Sequence, residues 1–179
     1  MNFRRHIEEL LGGRWKSKAK SCQQAAAVCC RLAAHGELEL LLVTSRDTCR
    51  WILPKGNTEH KEAAYRAAQR EAFEEAGIEG KVCKKPIGFY SYLKDGEREL
   101  CVSVHLLRVT KNAAHFQEEG QRHLAWFRPS VGATLVDEPE LGELLASLTA
   151  LEVRTSQDKS LSKKLALKLP VLATASSGA

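Results

Sequence analysis

The sequence predicts an α+β fold in which a mixed β-sheet is packed between helices. Three observations carry this reading: two pairs of short apolar runs joined by turn signals, one segment of helical length between the pairs, and another after them. No internal repeat is visible.

The elements follow in order. "QQAAAVCCRL" (23–32) and "LELLLVTS" (38–45) are apolar runs separated by "AAHGE", whose glycine signals a turn, so they form a hairpin-like pair of strands. A helix begins near Glu62 or Ala63 and stops at Gly77, which suits a left-handed cap. "KPIGFYSYL" and "ELCVSVHLLRV" repeat the hairpin around "KDGER", where Asp95-Gly96 is a strong turn dipeptide. "HLAWF" (123–127) is a shorter fifth strand. "EPELGELLASLTAL" places Leu141, Leu144, Leu145 and Leu148 at helical spacing behind an acidic start.

The 179 residues suit one domain with extensions: a basic N-terminal segment (1–21), a domain (22–152) and a basic tail (153–179). Apolar residues make up 44% and charged residues 27%, and no run approaches the ~18 to 20 apolar residues of a membrane span, so no membrane partner is expected. The first residues lack the pattern of a signal peptide, and six cysteines (Cys22, Cys29, Cys30, Cys49, Cys83, Cys101) show neither zinc nor disulfide-ladder spacing. Reduced, mostly buried thiols in a cytoplasmic protein are the expectation. The net charge of +5 divides unevenly, with +4 on residues 1–24 and +4 on residues 154–179, leaving −3 in the centre. Basic flanks suit either a polyanionic ligand or solvated ends.

The predicted helix is unusual for its acid. At 100° per residue Glu71, Glu74 and Glu75 share one arc of about 100°, beside the small residues Ala64, Ala67 and Ala68. They lie at the helix C-terminus, where the macrodipole disfavours carboxylates by roughly 0.3 to 1 kcal/mol each, and the favourable local pair is Arg70 with Glu74. Hard oxygen donors converging from one helix face match Mg²⁺ or Mn²⁺. The bland alternative is a repulsive, solvated face.

The segment from Gly56 resembles the Nudix box: Gly56, five residues, Glu62, seven residues, then "REAFEEAGI", which supplies Arg70, Glu71, Glu74, Glu75 and Gly77. "RWILPKG" before it and "LAWF" after it extend the resemblance over about residues 22–150. Two positions depart: Ala72 stands where a bulkier aliphatic residue is usual, and Lys61 where many members have glycine.

The resemblance implies an α/β/α layered Nudix fold and a pyrophosphohydrolase that uses Mg²⁺ or Mn²⁺, with water attacking phosphorus. It implies Glu71 and Glu75 as principal metal ligands, Glu74 as ligand or general base, Arg70 as orienting group and Gly56 as a carbonyl donor to the metal. Glu118 and Glu119 are candidates for a carboxylate from a later loop, or lie in a solvated turn.

Lys55, Arg46 and Arg50, with the N-terminal Lys16 and Lys18, resemble the phosphate-meeting positions of the diadenosine polyphosphate and diphosphoinositol polyphosphate hydrolase branch. Arg122 and His123 either reach the same anion or sit blandly at a strand edge. Trp51, Tyr90, Tyr92 and Trp126 either stack on a base or belong to the core. A nucleotide-pool or RNA 5′-end pyrophosphohydrolase is the alternative enzyme, and a non-catalytic nucleotide-sensing module the alternative of another class. No aromatic-basic RNA motif accompanies the charge, so nucleic acid is not an expected partner.

Overall fold

The structure is a computed structural model that describes residues 22–34 and 36–149. Eight strands form one sheet: β1 (Gln24–Leu32), β2 (Leu38–Thr44), β3 (Trp51–Ile52), β4 (Lys55–Asn57), β5 (Ile78–Val82), β6 (Gly88–Lys94), β7 (Arg98–Asn112) and β8 (Leu124–Phe127). Among the described residues three helices accompany it: α1 (Ala64–Ala76), α2 (Pro129–Leu135) and α3 (Pro139–Ser147).

The sheet is mixed, as expected. β1 and β7 run parallel at its centre, and every other pairing is antiparallel. The long β7 pairs β6 along its first half and β5 along its second, while β2 takes β3 and β8 on its far edge. β4 adds to the start of β1, with Gly56 opposite Ala25. That short pairing sets the segment ahead of α1 against the middle of the sheet.

Alternation along the strands gives each face its own core. One face holds Val28, Leu40, Leu42, Val102, Val104 and Leu106 under Leu141, Leu144, Leu145 and Leu148 of α3, with α2 packed beside α3. The other holds Ala25, Ala27, Leu41 and Leu107 under Ala67, Ala68, Ala72 and Ala76 of α1. The chain is therefore layered helix, sheet, helix.

Both helices predicted from spacing are present, and Gly77 ends α1 in the left-handed conformation at φ 64°. Ala72 is fully buried in the α1 face. The sequence reading omits α2, β3, β4 and β5. β3 and β4 are too short for any alternation to show, β5 carries a bulge between Glu79 and Gly80, and α2 is a seven-residue helix containing Gly132 and two β-branched residues.

The cysteine expectation is corrected. Cys22 and Cys101 form a disulfide, because the parallel pairing of β1 with β7 sets residues 79 apart in sequence side by side, with Cα atoms 4.7 Å apart. Cys29, Cys30, Cys49 and Cys83 lie outside this disulfide, Cys49 exposed. The cysteine argument for a reducing compartment does not carry through. Among the described residues no helix is long and apolar enough to cross a membrane.

Candidate active site

The carboxylate face of α1 is formed by burial. Small alanines let the helix lie close on β1, and that closeness brings β4 backbone to the helix carboxylates. The Lys55 N–H donates to Glu75 Oε2 at 3.1 Å. Gly56 lies so near Glu71 that a Cβ there would stand 2.0 Å from its Oε1. Glycine is required by contact, and the same contact puts the Gly56 backbone beside a carboxylate.

Two arginines hold the acid in place. Arg70 donates to Glu62 Oε1 and Oε2 at 3.1 and 3.0 Å, to Glu71 Oε1 at 2.7 Å, to Glu74 Oε2 at 3.0 Å and to the Asn57 carbonyl at 2.9 Å. Spacing alone pairs Arg70 with Glu74, and the structure gives the same arginine to the adjacent Glu71.

Arg122 is the second. Its Nη2 donates to Glu75 Oε1 at 2.5 Å, its Nε to Glu118 Oε2 at 2.6 Å and its Nη1 to the Thr44 carbonyl at 2.8 Å. The choice between strand-edge position and anion contact resolves to a buried ion-pair node, with only 5% of the side chain exposed.

Glu118 is no solvated turn residue either. Segment 113–123 folds over the end of α1, where the Glu118 N–H donates to the Glu74 carbonyl at 2.9 Å and the Ala113 N–H to the Gly77 carbonyl at 2.8 Å. Helix ends leave carbonyls unpaired, and this segment satisfies two of them. Glu119 faces outward, paired with His115.

Burial shapes the ionisation. It pushes the Glu75 carboxyl up to about 7, against the pull of Arg122 and of the Lys55 N–H, with Glu71 and Glu118 adding to the rise. Glu71 rises for the same first reason, opposed by Arg70. Glu62 moves the other way, held down by its hydrogen bonds from Arg70. A divalent cation would supply the charge that Glu71 and Glu75 lack.

The donor set passes a chemical test for such an ion: glutamate oxygens beside the Gly56 main chain and no soft ligand. Among the described residues no three His, Cys, Asp or Glu side chains already converge as a finished cage. The arginines occupy the facing oxygens instead.

The basic residues are dispersed around this pole. Lys55 Nζ meets Tyr92 Oη at 2.9 Å and Gln24 Oε1 at 3.3 Å, and lies 4.4 Å from the centre of the Tyr92 ring. These are neutral partners, and among the described residues no carboxylate pairs with it. Arg46 is exposed and reaches Glu118 at 3.5 Å. Arg50 pairs with Asp137 at 3.1 Å and Glu138 at 3.7 Å. Lys16 and Lys18 lie outside the described residues.

Of the aromatic candidates, Tyr90 is core, Trp51 packs edge-on against Phe127, and Trp126 lies under the Arg31 guanidinium. Tyr92, half-buried, lies against the Lys55 ammonium. His60 is exposed.

The structure thus sets an alanine-faced helix, its glutamates locked by arginine, on one face of a layered sheet. The chain belongs to the NUDIX-domain family, whose model matches residues 23–148. It is 34% identical over 108 residues to diphosphoinositol polyphosphate phosphohydrolase 3-beta of Bos taurus, and 28% identical over 101 residues to Nudix hydrolase 13, mitochondrial, of Arabidopsis thaliana. These alignments cover 59% and 51% of this chain, and 63% and 50% of the relatives. The chain thus spans less than two thirds of the length of the curated relatives it matches. Among solved structures it resembles an Ap4A hydrolase of C. elegans, with a TM-score of 0.59 and 26% identity over 73% of this chain and 97% of that one.

Proposed function

We propose that the chain hydrolyses a pyrophosphate bond in a polyphosphorylated small molecule of diphosphoinositol polyphosphate or diadenosine polyphosphate type, by attack of water at phosphorus. The observation that carries this reading is the gathering of Glu71, Glu74, Glu75 and Glu118 from two chain segments around Arg70 and Arg122, with the Lys55 ammonium nearby paired to no carboxylate among the described residues. Relatives named for diphosphoinositol polyphosphates and Ap4A support the substrate class.

Mg²⁺ or Mn²⁺, when bound, supplies charge neutralisation of the phosphoryl oxygens and a more acidic water. Glu71 and Glu75 are its principal ligands in this reading, joined by the Gly56 carbonyl. Glu74, at 27% exposure the most open of the four box carboxylates, is ligand or general base, and Glu118 shares that candidacy from the neighbouring segment. Arg70 orients Glu71 and Glu74. Lys55 offers its ammonium to a substrate phosphate, and Arg46 and Arg50 extend the cationic rim. Lys16 and Lys18 belong to the same proposal.

The test is product release from diadenosine polyphosphates, diphosphoinositol polyphosphates, nucleotide sugars, nucleoside triphosphates and 5′-triphosphorylated RNA, each with Mg²⁺, Mn²⁺ or EDTA. Cleavage of one of the first two classes, abolished by EDTA, is expected. Cleavage that persists in EDTA, or silence of the folded protein across the panel, contradicts the proposal. Preference for RNA or single nucleotides moves the substrate assignment alone.

A further inference from the structure

Besides the exposed Arg46, which reaches Glu118 Oε1 at 3.5 Å, two arginines sit among the carboxylates, and of these only Arg70 belongs to the box. Arg122 comes from outside it, just ahead of β8, and ties together three parts of the fold: the end of β2 at the Thr44 carbonyl, α1 at Glu75 and segment 113–123 at Glu118. A guanidinium carries five N–H donors in a rigid planar fork, so a single side chain can orient two carboxylates at once.

The main chain around Glu118 does not depend on this arginine. The Glu118 N–H is held by the Glu74 carbonyl, and Thr44 and His123 exchange their own hydrogen bonds. What Arg122 adds is direction. Glu75 Oε2 already takes the Lys55 N–H, so Oε1 is the oxygen that Arg122 fixes, beside Glu118 Oε2 on the same guanidinium. The two carboxylates are only 6% and 14% exposed, and without the cation between them they repel in poorly solvated surroundings.

We propose that Arg122 is a positioning residue for the cation site: by holding Glu75 and Glu118 in a shared orientation it sets how tightly the protein takes a divalent ion. The inference rests on the metal-dependent reading above. Groups that hydrogen-bond the carboxylates ligating a metal typically account for roughly 10- to 100-fold of its affinity. Lysine does not substitute, because one ammonium on a flexible stem cannot reproduce the planar fork.

The test is a Mn²⁺ titration of the full chain, following free ion by electron paramagnetic resonance, beside thermal unfolding in EDTA. The unaltered chain is compared with Arg122→Gln, Arg122→Lys, Glu118→Gln and the double variant Arg122→Gln/Glu118→Gln. The expected result is a Kd for Mn²⁺ raised about 10- to 100-fold in both Arg122 variants. Arg122→Gln should also raise Kd by a smaller factor in the Glu118→Gln background than alone, since it acts partly through Glu118.

A Kd for Arg122→Gln within about twofold of the unaltered value, whatever its Tm, is what a merely structural arginine gives, and it overturns the proposal. Tighter binding, as expected of an arginine that only competes with the ion, overturns it too, as does an equal factor in both backgrounds. Should Arg122→Gln fail to fold, Arg122→Lys, which keeps a charge among the acids, carries the same comparison. An unaltered, folded chain that binds no Mn²⁺ overturns the metal reading along with this one; binding that ignores Arg122 overturns this one alone.

Discussion

One face of the sheet is covered by leucine and the other by alanine. On the α3 side Leu141, Leu144, Leu145 and Leu148 are all at most 1% exposed, packed on valines and leucines of β1, β2 and β7. On the α1 side the helix meets β1 through Ala67, Ala68, Ala72 and Ala76 against Ala25 and Ala27. Hydrophobic stabilisation follows buried area, about 25 cal/mol per Å², so each leucine contributes far more than each alanine. The alanine face gains proximity instead. It brings α1 near enough that the Lys55 N–H reaches Glu75 and Gly56 touches Glu71. The lesson is a division of labour: one face holds the domain together, and the other holds carboxylates against backbone where they are unfavourable without a cation.

The comparison breaks first at Gly56. Gly56→Ala places a methyl group 2.0 Å from Glu71 Oε1, so the carboxylate must leave its position. Turnover should fall by about 100-fold or more, the scale set by loss of a positioned group, while far-UV circular dichroism stays unchanged. Full activity in this variant would mean that the close approach serves packing alone.

The opposite experiment is Leu144→Ala on the leucine face. Loss of about 2 to 5 kcal/mol in urea unfolding is expected, with kcat/KM per folded molecule unaltered. A comparable fall in kcat/KM would show that the two faces are not independent.

A smaller effect separates them by pH. The Glu75 carboxyl stands at about 7 in the folded chain against an ordinary 4.5, raised first by burial. Between those values the folded chain binds more protons than the unfolded one. The stability this contributes is complete below about 4.5 and is lost as pH climbs through about 7. In EDTA, the Tm of Glu75→Gln minus that of the unaltered chain should therefore rise from pH 5 to pH 8. A flat difference would place Glu75 in a solvated setting.

The smallest effect concerns the loop before α1. Lys61 has φ 61°, the left-handed conformation that glycine adopts freely. Lys61→Gly relieves a cost of about 1 to 2 kcal/mol, and greater freedom of the unfolded chain offsets part of it. A net gain of under about 1 kcal/mol in urea unfolding is expected, and a loss would show that the lysine side chain holds the loop.

What was legible in the sequence is what local spacing encodes. The bounds of α1, its acidic arc, the hairpin at Asp95-Gly96 and the leucine stripe of α3 all follow from periodicity and caps within a few residues. The glycine-like conformation of Lys61 matches the departure noted there from the family pattern. The missing parts depend on contacts between distant segments. Arg122 and Glu75 are 47 residues apart, and Cys22 and Cys101 are 79 apart. One local signal did exist: Glu118 and Arg122 are opposite charges at i and i+4, a spacing at which side chains meet on a helical turn. It pointed to their pairing, though not to Glu75.

In the proposed function the alanine face organises carboxylates for metal-dependent cleavage of a pyrophosphate bond. Its most direct test is the initial rate of diphosphoinositol polyphosphate and diadenosine polyphosphate hydrolysis by the unaltered chain and by Glu75→Gln, each with Mg²⁺ and with EDTA, at matched circular dichroism. Hydrolysis is expected only with the metal, at a rate lower by about 100-fold or more in Glu75→Gln than in the unaltered chain. Equal rates in the two chains, or hydrolysis indifferent to EDTA, would contradict it.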